Sequence, residues 1–266
     1  MMKSPIKYFG GKNMMAKTLL SYFPDKEEYT MYIEPFGGSY GMGFSLEEIP
    51  PVEIYNDLEK NVYSFFRVMS NEQLFNEFKH KCDLCYFSED LRKEAREKLK
   101  GELDLVDRAF YFFYANRTSH NGIGGISLTV TLRRGMCRSV SDLLSTIDKL
   151  PEYHERLSHL VVLNRDALKL IEKFKDAENC FMYLDPPYLH ETRGNTRYEV
   201  EMSDEEHDKF IELCCNASCK MLISGYDNKK YDKLLEHGFN KISFEVHNTS
   251  GTHNSTTKTE TIWKNY

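Results

Sequence analysis

Two adjacent prolines constrain this chain more than any other feature. The apolar run Phe181-Met-Tyr-Leu184 ends in Asp185-Pro186-Pro187-Tyr188. Proline fixes φ and has no N–H to offer a ladder, so a strand must stop there. A wholly apolar run predicts a strand covered on both faces, as in the middle of a parallel sheet. Ligands of such sheets bind at the C-terminal edge of the strands. The groups left at that edge are a carboxylate and a free carbonyl, which accept hydrogen bonds, and a flat aromatic face. They suit a planar amino group held by two acceptors while its ring stacks on Tyr188. A strand-ending turn with a helix cap is the alternative reading.

Short β-rich runs recur at Met31–Glu34, Val52–Tyr55, Leu160–Leu163, Cys180–Leu184, Lys220–Ser224, Lys241–Val246 and Glu260–Lys264. Most alternate with helical patterns, which predicts an α/β fold with a largely parallel sheet covered on both faces. Ser203-Asp-Glu-Glu206 is a capping box opening a helix to about Ala217, and Asp227–His237 reads as another, stopped by Gly238. Between Val62 and His159 the rhythm changes. Helical patterns at Asn71–Lys79, Glu89–Glu102 and Leu105–Tyr114 lead to the glycine-rich turn Asn121–Gly125. A β-like alternation over Ile126–Leu132 follows, then Arg133-Arg134-Gly135, and Ser141–Lys149 returns to helix before Pro151. Such a stretch between two strands predicts an inserted domain over 63–159, within a discontinuous domain of 1–62 and 160–266. Asn248–Thr259 reads as a polar loop.

No run approaches the roughly 20 apolar residues of a membrane span. The start, Met1–Tyr8, lacks an apolar leader, so a cytoplasmic protein is expected. Seven cysteines, an odd number, fit a reducing compartment better than a disulfide framework. Cys82-x-x-Cys85 has half the spacing of a zinc site but no second pair, so no metal is expected. The net charge of −6 argues mildly against nucleic acid, yet Arg108, Arg117, Arg133, Arg134 and Arg138 fall in a window without an acid. A basic face of that kind suits phosphates, and a merely solvated surface is the other reading.

Glu34-Pro-Phe36-Gly37-Gly38 follows the first strand. Glycines at a strand-to-helix turn let a ligand approach the backbone, which points to a nucleoside-bearing cofactor. Asn56-Asp57 closes the next strand, where nucleotide-binding sheets hold a ribose hydroxyl pair; a helix N-cap is the alternative for Asp57. Lys7-Tyr8-Phe-Gly-Gly-Lys12 is a second glycine turn, with an amine suited to an anion but without the P-loop spacing.

Taken in order, these elements resemble the N6-adenine DNA methyltransferases of the Dam type, whose recognition domain is inserted between cofactor and catalytic motifs. Asn61, Asn116-Arg117 with Asn121-Gly122, Asn164-Arg-Asp166 and the closing Glu260–Tyr266 complete the set. The resemblance implies a Rossmann-like methyltransferase fold of about seven strands, with a mainly helical insert carrying a β-hairpin. It implies S-adenosylmethionine as cofactor, S-adenosylhomocysteine as product, and the cytoplasm of a bacterium or phage-infected host. Tyr8 and Lys12 would lie at the methionine end, with Glu34, Phe36, Gly37, Gly38, Asp57 and Asp166 around the rest. Asp185 would stand between cofactor and target base. One position departs: Tyr40 occupies the last glycine of the usual F-x-G-x-G, where a side chain would narrow the cofactor cleft.

The implied partner is double-stranded DNA, with a cognate restriction enzyme as a candidate second partner and no oligomeric state indicated. Asp185 and the Pro186 carbonyl would hold the adenine amino group, and the base must leave the duplex to stack on Tyr188. Pro187 would help fix that turn. His120 and Asn121 would enter the DNA beside the flipped base, and Arg117, Arg133, Arg134 and Arg138 would touch phosphates or guanine edges. Two other readings share these residues: a methyltransferase acting on cytosine N4 or on RNA adenine, and an inactive DNA-binding module.

Overall fold

The structure is a computed structural model that describes residues 2–7, 15–122, 125–126, 128–188, 201–247 and 257–266, with only the backbone of Asn121, Val246, His247, Thr257 and Lys258. The strands are β1 (Met31–Glu34), β2 (Val52–Asn56), β3 (Leu132–Arg133), β4 (Met136–Cys137), β5 (Val161–Leu163), β6 (Cys180–Leu184), β7 (Lys220–Gly225), β8 (Asn240–His247) and β9 (Thr257–Lys264). The α-helices are α1 (Ala16–Leu20), α2 (Lys60–Met69), α3 (Glu72–Leu84), α4 (Glu89–Lys98), α5 (Leu105–Thr118), α6 (Arg138–Asp148), α7 (Leu150–Leu157), α8 (Ala167–Phe174) and α9 (Asp204–Cys215). None of the described helices is long and apolar enough to cross a membrane.

Contacts divide the described residues into two units. One holds residues 2–7, Gly38–Ser45 and Glu59–Val162; the other holds the described parts of Met15–Gly37, Leu46–Leu58 and Leu163–Tyr266. The main sheet runs β5-β2-β1-β6-β7-β9-β8. β1 pairs in parallel with β2 and β6, and β6 with β7, while β9 is antiparallel to both β7 and β8. This is the mostly parallel α/β sheet expected of a Rossmann-like fold. β6 is buried at all five residues because β1 and β7 flank it and both faces are covered. One face packs Ile33, Met182, Leu184, Ile223 and Trp263 against Leu168, Ile171, Phe210 and Ile211. On the other, Phe181 meets Phe23, Tyr29, Tyr32 and Tyr266 with ring centroids 4.7–6.0 Å apart.

Several boundaries differ from the sequence pattern, each for a local reason. The capping box at Ser203 opens α9 as expected. Asn228, not Asp227, caps the next helix, which is a 3-10 helix over Lys229–His237 ending at Gly238 with φ +85°. Residues 257–259, read as loop, lie in β9, where the eight-residue ladder with β8 gives their backbone partners; the rest of the expected loop, 248–256, lies outside the described residues.

In the helical unit, Phe65, Phe66, Phe78 and Phe113 form a cluster of ring contacts 5.5–5.9 Å apart. Pro151 follows the end of α6, which stops at Asp148 as expected. It sits in the first turn of α7, where a missing N–H costs nothing. Among the described residues of Ile126–Leu132 no continuous strand forms. Backbone pairing is limited to an isolated bridge at Ile126, a bond from Arg138 N–H to the Thr131 carbonyl at 2.9 Å and the ladder at Leu132, and Leu128, Val130 and Leu132 are exposed. The hairpin is short, Leu132–Arg133 against Met136–Cys137, and Arg134 and Gly135 both take positive φ as a two-residue turn requires.

Candidate active site

In the order of the sheet, the strand sequence changes direction between β1 and β6. Ligands of such sheets bind at that switch point, beyond the carboxyl ends of the strands. β1 ends there at Glu34, and Asp185 follows β6. Glu34 is buried and accepts a hydrogen bond from the Tyr32 hydroxyl at 2.7 Å. Phe36 is half-buried with its ring edge-on to Phe210. A Cβ at Gly37 would lie 2.3 Å from the buried ring of Tyr55, so packing alone requires glycine there.

Asp185 is half-buried, and its Oδ1 accepts from the Ser224 hydroxyl at 3.1 Å. Ser224 in turn lies 2.9 Å from the Tyr183 hydroxyl. An ionised carboxylate can only accept, so the serine proton points to Asp185 and the tyrosine donates to the serine. Burial, followed by the charge of Asp185, pushes the Tyr183 phenol well up, so it stays protonated. Tyr188 donates its hydroxyl to the buried Glu260 at 2.8 Å. Its phenol is also pushed well up, first by burial and then by Asp185 and Glu260. With the hydroxyl engaged, the ring face is what Tyr188 offers. Tyr226, just beyond β7, stands 4.6 Å from it, tilted by 59°.

Asp57 and Asp166 follow β2 and β5. The alternative reading of Asp57 as a helix cap does not hold, since Glu59 caps α2 by accepting from Asn61 and Val62 at 2.9 and 2.7 Å. Asp166 does cap a helix, α8, accepting from Leu168 N–H at 2.8 Å through Oδ1. Asn56 is wholly buried. Its side-chain amide donates to the carbonyls of Pro35 (2.8 Å) and Arg165 (2.9 Å) and accepts from the Arg165 N–H (2.9 Å). Chemically, this edge is rich in acceptors. Glu34, Asp57, Asp166 and Asp185 suit a ligand bearing positive charge, hydroxyls and amino groups. Among the described residues, no cluster of three or more His, Cys, Asp or Glu is placed to hold a metal ion.

The helical unit carries the residues expected to meet nucleic acid. His120 is exposed, in a short 3-10 turn. Arg117 is half-buried with its Nη2 3.5 Å from the Asp142 carbonyl, and burial lowers its pKa. Arg133 and Arg138 both pair with the Asp142 carboxylate, Arg138 at 3.6 Å, and Arg134 lies exposed in the hairpin turn. Arg108 is no part of a basic face. It is buried, donating to Asn61 Oδ1 at 2.9 Å and to the Gly101 carbonyl at 2.8 Å. Asn116 grips the backbone of Lys7, accepting from its N–H at 2.8 Å and donating to its carbonyl at 2.6 Å. Gly122 allows this, for a Cβ there would lie 2.7 Å from the Lys7 carbonyl. Tyr8, Lys12 and the Asn121 side chain lie outside the described residues.

Tyr40 does not project into an open cleft. Its ring is wholly buried, packed on Phe44 and Phe66 with centroids 5.7 and 6.0 Å away. Its φ of +56°, like that of Gly38 at +47°, is one that normally calls for glycine. The position keeps the backbone of the glycine pattern and fills the space with an aromatic. Gly43 beneath it makes room, since a Cβ there would lie 2.1 Å from the Tyr40 ring.

Sequence reasoning gave no role to Ser224, Tyr226 or the Asn56 side chain, and quoted Glu260 without one. A signal existed for two of them. Ser224 is a hydroxyl ending the apolar run Met221-Leu-Ile223, and Glu260 is an acid opening the apolar Thr261-Ile-Trp263.

Comparison with known proteins matches residues 8–252 to the family described as D12 class N6 adenine-specific DNA methyltransferase. A relative, the Type II methyltransferase M.MjaIII of Methanocaldococcus jannaschii, is 25% identical over 257 residues, covering 88% of each chain.

Proposed function

Since the chain belongs to the D12 class of N6 adenine-specific DNA methyltransferases, we propose that Asp185, Pro186, Pro187 and Tyr188 form its reacting surface, and that S-adenosylmethionine is the methyl donor. Family membership sets the reaction class as methylation of adenine N6 in DNA, and the rival base and RNA readings fall away. Methyltransferases of this kind draw on S-adenosylmethionine, which when bound supplies a methyl group on a positively charged sulfur. The acceptor-rich strand edge fits such a cation.

The adenine amino group is a poor nucleophile because its lone pair is delocalised into the ring. Asp185 and the Pro186 carbonyl accept its two N–H groups, which favours a pyramidal nitrogen with its lone pair turned out of the ring plane. Ser224 holds Asp185 in place for this, donating at 3.1 Å. Positioning and fixed dipoles supply most of the rate. Tyr188 stacks on the base once it has left the duplex, its ring steadied by Glu260. Asp57 holds ribose hydroxyls, Asp166 the adenine amino group of the cofactor, and Glu34, Phe36, Gly37 and Gly38 shape the wall. Tyr8 and Lys12 meet the methionine end.

DNA contact falls to the segment 63–159. His120 and Asn121 stand beside the displaced base, and Arg117, Arg133, Arg134 and Arg138 reach phosphates or guanine edges. Exposed ion pairs contribute little, so phosphates can replace Asp142 at Arg133 and Arg138. The Type II relative makes a cognate restriction enzyme the natural second partner, in a bacterial or phage-infected cytoplasm.

The observation carrying this reading is the donor-oriented Asp185 at the switch point of a chain matching this family. The test is transfer of labelled methyl from S-adenosylmethionine to unmethylated duplex DNA, with nucleosides separated after digestion. Label is expected in N6-methyldeoxyadenosine. Label in N4-methylcytosine, or none in DNA, would overturn it.

A further inference from the structure

Asn56 occupies the last position of β2, one residue beyond the register with β1, which ends at Glu34 and Tyr55. Its side chain does there what backbone does within a sheet. Toward β1 it donates to the Pro35 carbonyl. Toward β5 it donates to the carbonyl and accepts from the N–H of one residue, Arg165. Its own carbonyl accepts from Gly37 N–H at 2.8 Å. Beside it, Asn164 donates to the Asp57 carbonyl at 2.7 Å. Three strand-end loops are thereby tied at one point. Phe36, Gly37, Asp57 and Asp166 each lie within one residue of an atom in that tie.

We propose that Asn56, seconded by Asn164, is the positioning residue for the nucleoside half of the cofactor. Its amide is spent on backbone groups. It holds the loops after β1, β2 and β5 at the spacing at which their side chains converge. The inference rests on the cofactor reading above and goes beyond it by naming what sets affinity. Both N–H donors and one acceptor lone pair of the buried amide are used, so its replacement strands carbonyls away from water. Aspartate is close in size but offers no donor, and its charge would face the carbonyls of Pro35 and Arg165. Asp185 follows β6 and is held by Ser224 of β7, so the damage belongs in binding rather than in the chemical step.

A matched control lies at the opposite edge of the same sheet. Asn265 accepts from Met221 N–H at 2.7 Å and donates to the Cys219 carbonyl at 2.9 Å, at the start of β7. Asn56→Asp removes two donated amide bonds and Asn265→Asp one, at two ends of one unit.

The experiment measures S-adenosylhomocysteine affinity by calorimetry, and kcat and KM for S-adenosylmethionine, in the wild-type chain and both variants. Asn56→Asp should weaken binding and raise KM by roughly ten- to a hundredfold, with kcat falling by less than about threefold. Asn265→Asp should leave affinity unchanged even if it lowers the melting temperature. Equal affinity in Asn56→Asp and wild type, or an equal loss in both variants, overturns the proposal. If Asn56→Asp does not fold, Asn164→Ala decides, because Asn164 is exposed. A severalfold loss of affinity there supports the tie, and none refutes it. A wild-type chain that binds neither ligand would instead refute the cofactor reading.

Discussion

In the sheet-bearing unit the acids Glu34, Asp57, Asp166 and Asp185 stand at or just beyond the ends of neighbouring strands. In the helical unit the arginines between Arg108 and Arg138 go three ways: one into the core, one half-buried, and three to the surface, two of them paired with Asp142. The contrast follows from reach. A short side chain directly after a strand is placed by the backbone, and the backbone by the ladder. An arginine can swing its charge over several ångströms, so its direction is chosen by whichever carbonyl or carboxylate the tertiary fold brings near.

The largest break in this comparison is at Asp185. Asp185→Ala should reduce methyl transfer by about a hundredfold or more, while the melting temperature changes little because the residue is half-exposed. Turnover close to wild type would remove Asp185 from the mechanism. Next come two arginines of the same stretch. Arg108→Ala strips donors from Asn61 Oδ1 and the Gly101 carbonyl, and should cost about 2–4 kcal/mol in urea unfolding. Arg134→Ala should stay within about 0.5 kcal/mol of wild type while lowering the salt dependence of DNA binding by about one counterion. Equal losses of stability would mean that the burial of Arg108 is not what distinguishes them.

A smaller effect is expected where a tyrosine has taken a glycine's place. Gly43→Ala puts a methyl group into the Tyr40 ring and should destabilise by about 1–3 kcal/mol. In a Tyr40→Gly background the same change should cost almost nothing, and a double-mutant cycle with no coupling would separate the two residues. Smallest is a pH effect. His207 is buried in α9 with its Nδ1 3.2 Å from the Tyr231 hydroxyl, and burial lowers its pKa below the ordinary 6.5. The unfolded chain therefore takes up this proton first as pH falls. The contribution is whole above 6.5 and is lost as pH drops from there toward the folded value. Urea midpoints in mild acid should fall further for wild type than for His207→Gln, relative to neutral pH; parallel curves would exclude His207.

Legibility tracked the same division. The strands were readable because a buried parallel strand must be apolar and must end at prolines, glycines or acids, as β6 does at Asp185-Pro186. The acids at strand ends were readable for the same reason. The hairpin was expected but its extent was not readable: Leu128 and Val130 alternate as a strand would, yet both are exposed and the ladder begins only at Leu132. Gly37 was readable as a required glycine, but its packing against Tyr55 was not, because that ring comes from eighteen residues away.

By itself the sequence determined the reaction family, the mostly parallel sheet and the acids at the ends of its strands, because each is written in contiguous motifs whose geometry is local. Only the tertiary structure decided which polar groups hold those residues: Ser224 and Tyr183 behind Asp185, Glu260 on Tyr188, Asn56 between three loops. It also decided that Arg108 belongs to the core, and that Asp142, the residue just past the acid-free window, would claim Arg133 and Arg138. These are pairings between residues distant in the chain or between long side chains, and a hydrogen bond's partner is fixed only when the backbone has brought both groups within about 3 Å.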